Sequence, residues 1–342
     1  MEDKECNLTN AKQLKGDKVV DLELRPKFLK DYIGQEKVKD SVKVFIQAAK
    51  LRGEPIEHVL IYGPPGLGKT TLAHVLANET DANIRVTSGP AIERAGDLIS
   101  ILTSLEDSDI IFIDEIHRLS KIVEEVLYPA MEDYAVDLVI GKGPSAKTLR
   151  VDLPRFTLIG ATTRVSLISS PMRDRFGLVH ALDYYEDKEI EKILKRSAQI
   201  LKVKADDKSL KRIASCSRKT PRVANRLLRR IRDFALVYNQ GTVDDGVAKD
   251  SLERLGVDSS GLDDTDRKYL KALVEKFDGG PVGVETLSAS TSIEREALEE
   301  IIEPYLMQIG FIKRTPRGRV ATQSAYEYFG KKKIDSKQEK LI

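Results

Sequence analysis

One glycine-rich segment, Gly63 to Thr70, limits most strongly what this chain can fold into. It lies between an apolar run, His58 to Tyr62, and a helix-forming stretch, Thr71 to Asn78. Gly66 and Gly68 let the backbone turn so that its N–H groups point at an anion, and the helix N-terminus adds a favourable dipole. The segment ends in Lys-Thr, which an ordinary Gly/Pro loop would not require. The pattern therefore predicts a phosphate-binding loop between a strand and a helix.

The last residues of this loop have distinct roles in the prediction. Lys69 would bring a positive charge to the β- and γ-phosphates of a nucleoside triphosphate, and the Thr70 hydroxyl would ligate Mg²⁺. We therefore expect ATP and Mg²⁺ as cofactors, with Gly66, Gly68 and Thr71 completing the nucleotide contacts of the loop.

A second apolar run, Ile110 to Ile113, leads directly into the carboxylates Asp114 and Glu115. Ligands of α/β sheets bind at the carboxyl ends of the strands, and alternate side chains of a strand diverge, so the two carboxylates need not act alike. We expect Asp114 to complete the Mg²⁺ shell and Glu115 to polarise the attacking water, with His117 in a structural role. An isolated Asp-Glu pair is commonly a solvated strand end, an alternative that the phosphate loop disfavours.

Further polar side chains follow another predicted strand, Phe156 to Ala161. Thr162 and Thr163 would place hydroxyls beside the carboxylates, as sensors of the γ-phosphate or the water, although such a pair is also common structurally. Arg173 and Arg175 come beyond this last predicted strand and are poorly placed for the loop of their own chain. Such an arginine could act on a neighbour's nucleotide, where the effect is worth roughly 10³–10⁵ in rate, but surface arginines are usually only solvated.

The segment Thr220-Pro-Arg222 has the order of a helix N-cap, a first helical proline and a first-turn arginine. A cation at a helix N-terminus is disfavoured unless an anion is near, and an ATP phosphate would provide one. The alternative is a solvated arginine, at a dipole cost of a few tenths of a kcal/mol to about 1 kcal/mol.

The order of these patterns predicts an α/β fold, with helices on both faces of a parallel sheet, followed by helical segments. At 342 residues the chain is too long for one compact core. After Tyr185 apolar residues recur at helical spacing, and a Ser/Gly/Asp-rich linker spans Asp258 to Asp264. We expect four regions, which are an ATPase domain over 1–185 with 1–20 flexible, a small helical lid over 186–257, a third domain over 258–330 and a disordered Lys-rich tail over 331–342.

The third domain combines helices with a hairpin. Thr291 to Glu294 matches a capping box and predicts a helix to about Ile302. Phe311 to Arg314, Thr315 to Gly318 and Arg319 to Thr322 then have the order strand, turn, strand. Two helices followed by a hairpin of this kind make a winged-helix module.

The hairpin is basic, which suggests duplex DNA as its ligand. Arg314, Arg317 and Arg319 would contact phosphates from the hairpin, and Arg295 would join them from the preceding helix. A solvated basic hairpin on a protein-binding module is the alternative.

Composition excludes several other classes. With 41% hydrophobic and 32% charged residues the chain resembles a globular protein, and we find no apolar run near the ~20 residues of a membrane helix. Cys6 and Cys216 are far apart, so neither a disulfide framework nor a zinc site is indicated. The net charge of +2 says nothing by itself about nucleic acid. The N-terminus lacks a secretory signal, and we expect a cytoplasmic protein without a membrane partner.

Taken together, these segments resemble the RuvB family of AAA+ motors, which drive branch migration of Holliday junctions. The resemblance covers about Leu24 to Phe329. Beyond the phosphate loop, the matching motifs are Arg25-Pro-Lys, Tyr32-Ile-Gly-Gln35, Thr87-Ser-Gly-Pro90, Asp114-Glu-Ile-His-Arg118, Tyr128-Pro-Ala-Met-Glu-Asp-Tyr134, Gly160-Ala-Thr-Thr-Arg164, Arg173-Asp-Arg-Phe-Gly177, Asn225-Arg-Leu-Leu-Arg-Arg230 and Arg314-Thr-Pro-Arg-Gly-Arg319. The last motif separates this family from other AAA+ ATPases.

The resemblance implies an AAA+ P-loop sheet domain, a helical lid and a C-terminal winged helix, assembled as a homo-hexameric ring around duplex DNA. Each nucleotide is then bound between subunits, with Arg175 as the arginine finger given to the neighbour and Arg222 as a second sensor. The other implied nucleotide contacts are Leu24, Arg25 and Tyr185 on the adenine side, and Glu132, Asp133 and Tyr134. The positions that contact DNA in the family are matched by Arg295, Arg314 and Arg319.

Protein partners are implied as well. The segment from Val136 to Leu153 resembles the hairpin that docks on RuvA, the junction-binding partner, with Leu138, Val139 and Ile140 as its apolar contacts. A RuvC-like resolvase is a further candidate partner.

One departure and two rival hypotheses remain. Lys219 stands where the family usually has Gly before Thr-Pro-Arg, which makes the placement of Arg222 less secure. The first rival is a clamp-loader-like AAA+ switch, which has no need of a winged helix. The second is a winged-helix DNA binder with a vestigial nucleotide site, which the intact Lys69, Asp114 and Glu115 disfavour.

Overall fold

The computed structural model describes Thr9, residues 23–140 and residues 147–331, without the side chains of Val139, Ile140 and Lys147. The predicted flexible N-terminus and Lys-rich tail therefore lie outside the described residues, apart from Thr9 and Lys331. The described residues divide into two compact units, of which the first ends at Ile193 and the second comprises Thr9 and the chain from Leu194 onward. The predicted limits of the separate domains stay a prediction.

A five-stranded parallel sheet forms the centre of the first unit, in the order β2-β3-β6-β1-β7. Consecutive residues of its central strands are buried, apart from the last residues of β1 and β3, so both faces of the sheet are covered. The strands of this unit, including a separate antiparallel hairpin of β4 and β5, are β1 (Val59–Tyr62), β2 (Ile84–Ser88), β3 (Ile110–Asp114), β4 (Ala135–Ile140), β5 (Lys147–Asp152), β6 (Thr157–Thr162) and β7 (Leu178–Ala181). The predicted α/β class is confirmed.

The edge strand β7 is not among the strands that the sequence predicts. Val179 is 48% exposed and His180 interrupts the apolar run, so β7 lacks the continuous pattern of a central strand. The expectation that Arg175 lies beyond the last strand is therefore wrong. Arg175 immediately precedes β7, which runs parallel to β1.

Helices connect the strands of this unit. They are α1 (Glu36–Arg52), α2 (Lys69–Thr80), α3 (Ala95–Leu102), α4 (Lys121–Glu132) and the short α5 (Ser170–Arg173), with 3₁₀ turns at Leu29–Asp31, Gly89–Ala91, Ile116–Arg118 and Val165–Leu167. Ser120 caps α4, because its hydroxyl accepts a hydrogen bond from the N–H of Val123 at 3.4 Å. Apolar residues of α3 and α4, among them Leu98 and Leu127, pack in the same buried core as Ile113 of β3.

The second unit begins with the helical region that the sequence predicts after Tyr185. Its elements are α6 (Asp187–Ile200), which starts in the first unit, β8 (Lys204–Ala205), α7 (Asp207–Ser215), α8 (Pro221–Tyr238), β9 (Thr242–Val243) and α9 (Asp245–Arg254). The two short strands pair in parallel. Asp206 and Asp244 cap α7 and α9 through hydrogen bonds that their carboxylates accept from backbone N–H groups.

The remaining elements of this unit form the predicted winged helix. They are α10 (Asp264–Lys271), α11 (Val284–Thr291), α12 (Arg295–Ala297), α13 (Glu303–Gln308), β10 (Ile312–Thr315), β11 (Gly318–Ala321) and α14 (Gln323–Tyr328). A π-helical turn, Leu298–Ile302, makes α12 and α13 continuous, and another, Ala272–Lys276, extends α10. The hairpin of β10 and β11 is antiparallel, as expected. Buried side chains from these helices and from the hairpin share one apolar core.

The start of α12 differs from the prediction. Thr291 is the last residue of α11, and its hydroxyl donates to the carbonyl of Leu287 at 2.7 Å. Ser292 then has a φ of 56°, and Glu294 is the N-cap of α12 without a side-chain capping bond. The predicted capping box is therefore wrong, because the Thr hydroxyl bonds back into the preceding helix. Among all the described helices, none is long and apolar enough to cross a membrane.

Candidate functional site

The phosphate loop connects β1 to α2, as the sequence predicts. Gly63, Gly66 and Gly68 have φ values of 143°, 81° and 97°, a region that L side chains rarely adopt. A Cβ atom on Gly63 would lie 2.5 Å from the carbonyl oxygen of Leu182, so this position accepts only glycine without movement of its neighbour. The loop is thus a close-fitting turn of backbone that ends at a helix N-terminus, which suits a phosphate group.

Lys69 is the first residue of α2 and is only 7% exposed. Its Nζ donates to the carbonyl oxygens of Gly63 at 2.8 Å and Pro64 at 2.9 Å. Because a buried ammonium group needs such partners, these bonds keep the charge inside the curve of the loop. Thr70 and Thr71 occupy the next positions of the first turn of α2.

Three neighbouring strands bring the loop, a threonine and an aspartate to one edge of the sheet. β6 lies between β1 and β3, and Thr162 at the end of β6 pairs with Tyr62. The N–H of Gly63 donates to the carbonyl oxygen of Thr162 at 3.2 Å. Asp114 ends β3 on the other side of β6. The carboxyl ends of these parallel strands therefore share the edge at which α/β sheets bind ligands.

Glu115 is held in a strained conformation just after β3. Its φ of 50° and ψ of 43° lie in the left-handed region, where a non-glycine residue costs roughly 1–2 kcal/mol. Strain of this kind persists where the surroundings over-determine it. A carboxylate oxygen of Glu115 lies 3.5 Å from the Thr163 hydroxyl and 3.4 Å from Nδ1 of His117. The predicted pair of Glu115 and Thr163 is thus brought together.

His117 is a site residue that the sequence interpretation left as structural. Its Nδ1 also lies 2.9 Å from the hydroxyl of Thr162, so the imidazole lies between Glu115 and Thr162. The signal that could have identified His117 is its position two residues after Glu115, in a 3₁₀ turn that bends the chain back toward β6.

Two buried tyrosines lie against the phosphate loop. The hydroxyl of Tyr185 donates to the carbonyl of Leu67 at 3.3 Å and lies 3.5 Å from the hydroxyl of Tyr32. Burial raises the pKa of Tyr185 to about 12 and the pKa of Tyr32 well above its usual value, so both side chains are neutral. Tyr32, which the sequence marks only as part of a motif, is thus a second residue of this site.

The segment that holds the residues predicted for the adenine side, Leu24 and Arg25, lies near α2, the helix that begins at the phosphate loop. The N–H of Leu29 donates to the carboxylate of Glu79 at 2.8 Å, and Leu24 is buried. Burial lowers the pKa of His74 on α2, and the nearby charge of Arg25 lowers it further. Arg25 is therefore close to the helix that carries Lys69 and Thr70.

A second group of predicted nucleotide contacts lies elsewhere in the first unit. Arg175 donates from Nη2 to the carboxylate of Glu132 at 3.0 Å. Tyr134 packs against Phe156 and His58, with ring centroids 5.8 Å and 6.3 Å apart. His58 and Phe156 immediately precede β1 and β6, so this group lies at the amino edge of the sheet, opposite the phosphate loop.

Asp133 and the β4–β5 hairpin adjoin this second group. Asp133 pairs with Arg150 of β5 at 2.7 Å, and both side chains are more than half exposed. Leu138 of β4 pairs with Leu149, which is exposed. The side chains of Val139 and Ile140 lie outside the described residues, so the predicted apolar contacts of the hairpin stay a prediction.

Arg222 belongs to the second unit, at the second position of α8. Pro221 is the first helical residue, as predicted, but the Thr220 hydroxyl donates to the carbonyl of Ser217 at 3.2 Å instead of capping the helix. Lys219 has a φ of 56°. The residue that replaces the expected glycine thus adopts the conformation that favours glycine.

The predicted DNA contacts of the hairpin surround a buried carboxylate. Glu303 on α13 is fully buried and accepts hydrogen bonds from Nε of Arg314 at 2.7 Å, Nε of Arg319 at 3.0 Å and the hydroxyl of Tyr269 at 3.1 Å. The side chain of Arg314 is 41% exposed and that of Arg319 is 14% exposed. Arg319 therefore has a structural role that the sequence interpretation missed, while Arg317 in the turn is exposed.

Arg295 is exposed near the start of α12 and pairs with two carboxylates. Its Nη1 lies 2.6 Å from Glu285, and its Nε lies 3.3 Å from Glu299. Its predicted contact with DNA stays a prediction.

The fold and the site define a class of protein, a P-loop ATPase of the AAA+ type that carries a helical lid and a winged-helix domain. Residues 24–182 match the family described as Holliday junction DNA helicase RuvB P-loop domain. Residues 185–258 match the RuvB AAA lid domain, and residues 259–330 match the RuvB C-terminal winged helix domain.

Solved structures of RuvB from Thermotoga maritima are similar over nearly their whole length. One, described as a Holliday junction branch migration motor, is 48% identical with a TM-score of 0.82 and covers 91% of this chain and 99% of that chain. A lysine-to-arginine mutant has 48% identity and a TM-score of 0.82, and the match covers 90% of this chain and 98% of that chain. A proline-to-glycine mutant has 48% identity and a TM-score of 0.83, and the match covers 90% of this chain and 99% of that chain. The chain belongs to the RuvB family.

Proposed function

We propose that this chain is an ATP-driven DNA motor that moves duplex DNA and so drives branch migration of Holliday junctions. The observation that carries the proposal is the convergence of Lys69, Asp114 and Glu115 at one sheet edge in a chain that ends in a winged helix of the RuvB type. This combination supports a motor in which nucleotide hydrolysis is coupled to DNA movement, because a simple ATPase would not require a winged helix and a simple DNA-binding protein would not require a nucleotide site.

The residues at the carboxyl edge fit ATP and Mg²⁺. The positive φ values of Gly63, Gly66 and Gly68 let the loop turn its backbone N–H groups toward a phosphate chain, and Lys69 supplies the positive charge. Among the described residues no group of three or more His, Cys, Asp and Glu side chains could hold a metal by itself. Mg²⁺ at such a site keeps waters and uses one or two protein oxygens with the phosphates, so Thr70 and Asp114 are sufficient ligands.

Glu115 polarises the water that attacks the γ-phosphate. The His117 imidazole and the Thr163 hydroxyl lie within 3.5 Å of its carboxylate, and they restrict its orientation. Thr162, which lies beside the same imidazole, provides the second hydroxyl of the sensor. When bound, Mg²⁺ neutralises charge that develops on the phosphates.

The group at the amino edge acts on the nucleotide of a neighbouring subunit. Arg175, Glu132 and Tyr134 lie at the opposite edge of the sheet from the phosphate loop of their own chain, which supports a contact in trans. A ring of identical subunits, of which a hexamer is the proposed form, gives every phosphate loop an arginine from its neighbour. Asp133 completes this group, while Leu24, Arg25 and Tyr185 contact the nucleotide on the loop's own side. Arg222 is the proposed second sensor of the nucleotide.

The second unit binds DNA through its hairpin. Arg314 and Arg317 expose charge to the phosphates, Arg319 supports Arg314 through their shared partner Glu303, and Arg295 extends the basic surface. These contacts would be independent of base sequence. The β4–β5 hairpin, with Leu138, Val139 and Ile140, docks on a RuvA-like junction-binding protein, and a RuvC-like resolvase is a further partner.

A branch-migration assay on a synthetic four-way junction tests the proposal. We expect ATP-dependent dissociation of the junction that increases when a RuvA-like protein is added. Glu115→Gln should bind ATP and DNA but not move the junction. DNA-stimulated ATP turnover without junction movement under either condition would overturn the proposal and favour a clamp-loader-like switch.

A further inference from the structure

One face of α4 lies under the segment that carries Arg175. Glu124, Tyr128 and Glu132 are spaced four residues apart, so they follow one another along a single face of the helix. All three contact the chain between Ser169 and Arg175. The contact is thus continuous over two turns of α4.

The first contact fixes the start of α5. Ser169 is the N-cap of α5, and its hydroxyl accepts from the N–H of Met172 at 3.3 Å. The same hydroxyl donates to the carboxylate of Glu124 at 3.0 Å and lies 3.2 Å from the hydroxyl of Tyr128. The Tyr128 hydroxyl in turn donates to Glu124 at 3.3 Å. Glu124 is only 9% exposed while Tyr128 and Ser169 are half-buried, so this triangle of oxygens is partly shielded from water.

The second contact holds the guanidinium group itself. The central carbon of the Arg175 guanidinium lies 4.4 Å from the centroid of the Tyr128 ring, a cation–π geometry. Nη1 donates to the carbonyl of Pro171 at 2.7 Å, and Nη2 donates to Glu132 at 3.0 Å. Within the part of the chain that the structure describes, Nε is buried without a hydrogen-bond partner.

These contacts restrict an arginine that would otherwise sample many rotamers. A long side chain that is ordered before it meets its ligand loses less entropy on engagement, which is the physical basis of preorganisation. The ion pair with Glu132 is partly exposed and is weak by itself, so the triangle of oxygens and the Tyr128 ring supply most of the restriction.

We propose that Glu124 and Tyr128 are positioning residues for Arg175, which hold its guanidinium group ready for the neighbour's γ-phosphate. The proposal rests on the proposed function, in which Arg175 completes a site in trans. It adds that the support of Arg175 belongs to α4, the helix that follows Glu115 in the chain. The same helix therefore follows the subunit's own Glu115 and also supports the arginine that acts on the neighbouring subunit's nucleotide.

Mixed assemblies of two variants separate the two sides of a shared site. Subunits with Lys69→Ala cannot use their own loop but can donate Arg175, and subunits with Arg175→Ala can bind ATP but donate no finger. Only interfaces between a donor and an acceptor hydrolyse ATP. Tyr128→Leu is then introduced into the donor alone or into the acceptor alone.

In the donor, Tyr128→Leu should lower kcat at the mixed interfaces on the order of 10-fold or more, with little change in the KM for ATP. In the acceptor the same substitution should change kcat less than about twofold, because no arginine remains there to be positioned. Glu124→Gln should follow the same asymmetry. Tyr128→Phe, which keeps the ring and loses the hydroxyl, should cause a smaller loss in the donor and guards against a folding defect of the Leu variant.

Glu125→Gln is the matched control, since Glu125 is an exposed carboxylate on the same turn of α4 and contributes to neither contact. It should have no effect in either population. Equal losses in donor and acceptor, or no loss in the donor, would overturn the positioning role while leaving the shared site intact. If the mixture of Lys69→Ala and Arg175→Ala subunits without further substitutions is inactive, both the shared site and the positioning role are contradicted.

Discussion

Lys219 occupies a backbone position whose conformation favours glycine. Its backbone is left-handed, with a φ of 56°, in the turn before α8. Replacing it with glycine should raise the free energy of unfolding by about 0.5–1 kcal/mol, because relief of steric strain exceeds the entropy gained by the unfolded chain. Chemical denaturation followed by circular dichroism measures the difference. Lys219→Ala removes the charge but keeps Cβ, so an equal gain from alanine would show that the ammonium group is responsible.

A buried carboxyl group predicts a pH dependence of stability. Asp266 is buried beside Asp263 and hydrogen-bonded to Arg218 of the same unit. Burial raises the pKa of Asp266 to about 7, above the value of about 4 in an unfolded chain. The folded state then keeps a proton that the unfolded chain releases, so this group's contribution to the free energy of unfolding falls as pH rises between these values.

Asp266→Asn should therefore remove part of the pH dependence. Between pH 5 and pH 8 the wild-type chain should lose more stability than the variant, and urea unfolding at both values measures this. The same slope in both proteins would show that Asp266 is ionised throughout this range.

At the scale of elements, one buried carboxylate joins a helix of the winged-helix domain to both strands of its hairpin. Glu303 is buried and binds Arg314, Arg319 and Tyr269. Glu303→Ala leaves the guanidinium of Arg319 without this partner and should lower the free energy of unfolding by about 3–5 kcal/mol. Glu299 also pairs with Arg319 but is partly exposed, so Glu299→Ala should cost no more than about 1 kcal/mol. Equal losses in unfolding experiments would contradict the central place of Glu303.

Substitutions of the hairpin arginines should have two different effects on DNA affinity and on stability. Arg317→Ala should reduce the slope of the logarithm of DNA affinity against the logarithm of salt concentration by roughly 0.9 without changing stability. Arg319→Ala should lower both affinity and stability, because its side chain is mostly buried against Glu303. Fluorescence anisotropy with duplex DNA at several salt concentrations gives the slopes. An Arg317 variant with an unchanged slope would indicate that the turn faces a protein instead.

The elements that could be predicted from sequence are those with a strong local pattern. The phosphate loop, the continuous apolar strands and the hairpin with its turn all have signals within a few residues. The sequence does not predict β7, because its four residues lack a continuous apolar pattern, and it places the start of α12 wrongly, because the Thr291 hydroxyl bonds back to the carbonyl of Leu287. The role of Glu303 could not be predicted, since Arg314 and Arg319 are distant in sequence, and the contact of His117 with Thr162 could not be predicted for the same reason.

At the scale of the whole molecule, the central sheet has two edges with different chemistry. The carboxyl edge carries the phosphate loop, Asp114 and Glu115, and the amino edge carries Arg175 with Glu132. A subunit built in this way has an acceptor side and a donor side, which suits a ring in which each site is completed by a neighbour. Membership of the RuvB family supports the proposal that such a ring acts on DNA.

The most direct test of this shared-site motor is the DNA-stimulated ATPase rate of mixtures of Lys69→Ala and Arg175→Ala subunits over a range of ratios. Each variant alone should be nearly inactive, because one lacks the phosphate-loop charge and the other lacks the transition-state cation. We expect the rate to rise to a maximum at intermediate ratios, where interfaces between the two kinds of subunit are most frequent. A rate that stays at the level of the separate variants at every ratio, in mixtures shown to co-assemble, would contradict a site shared between subunits.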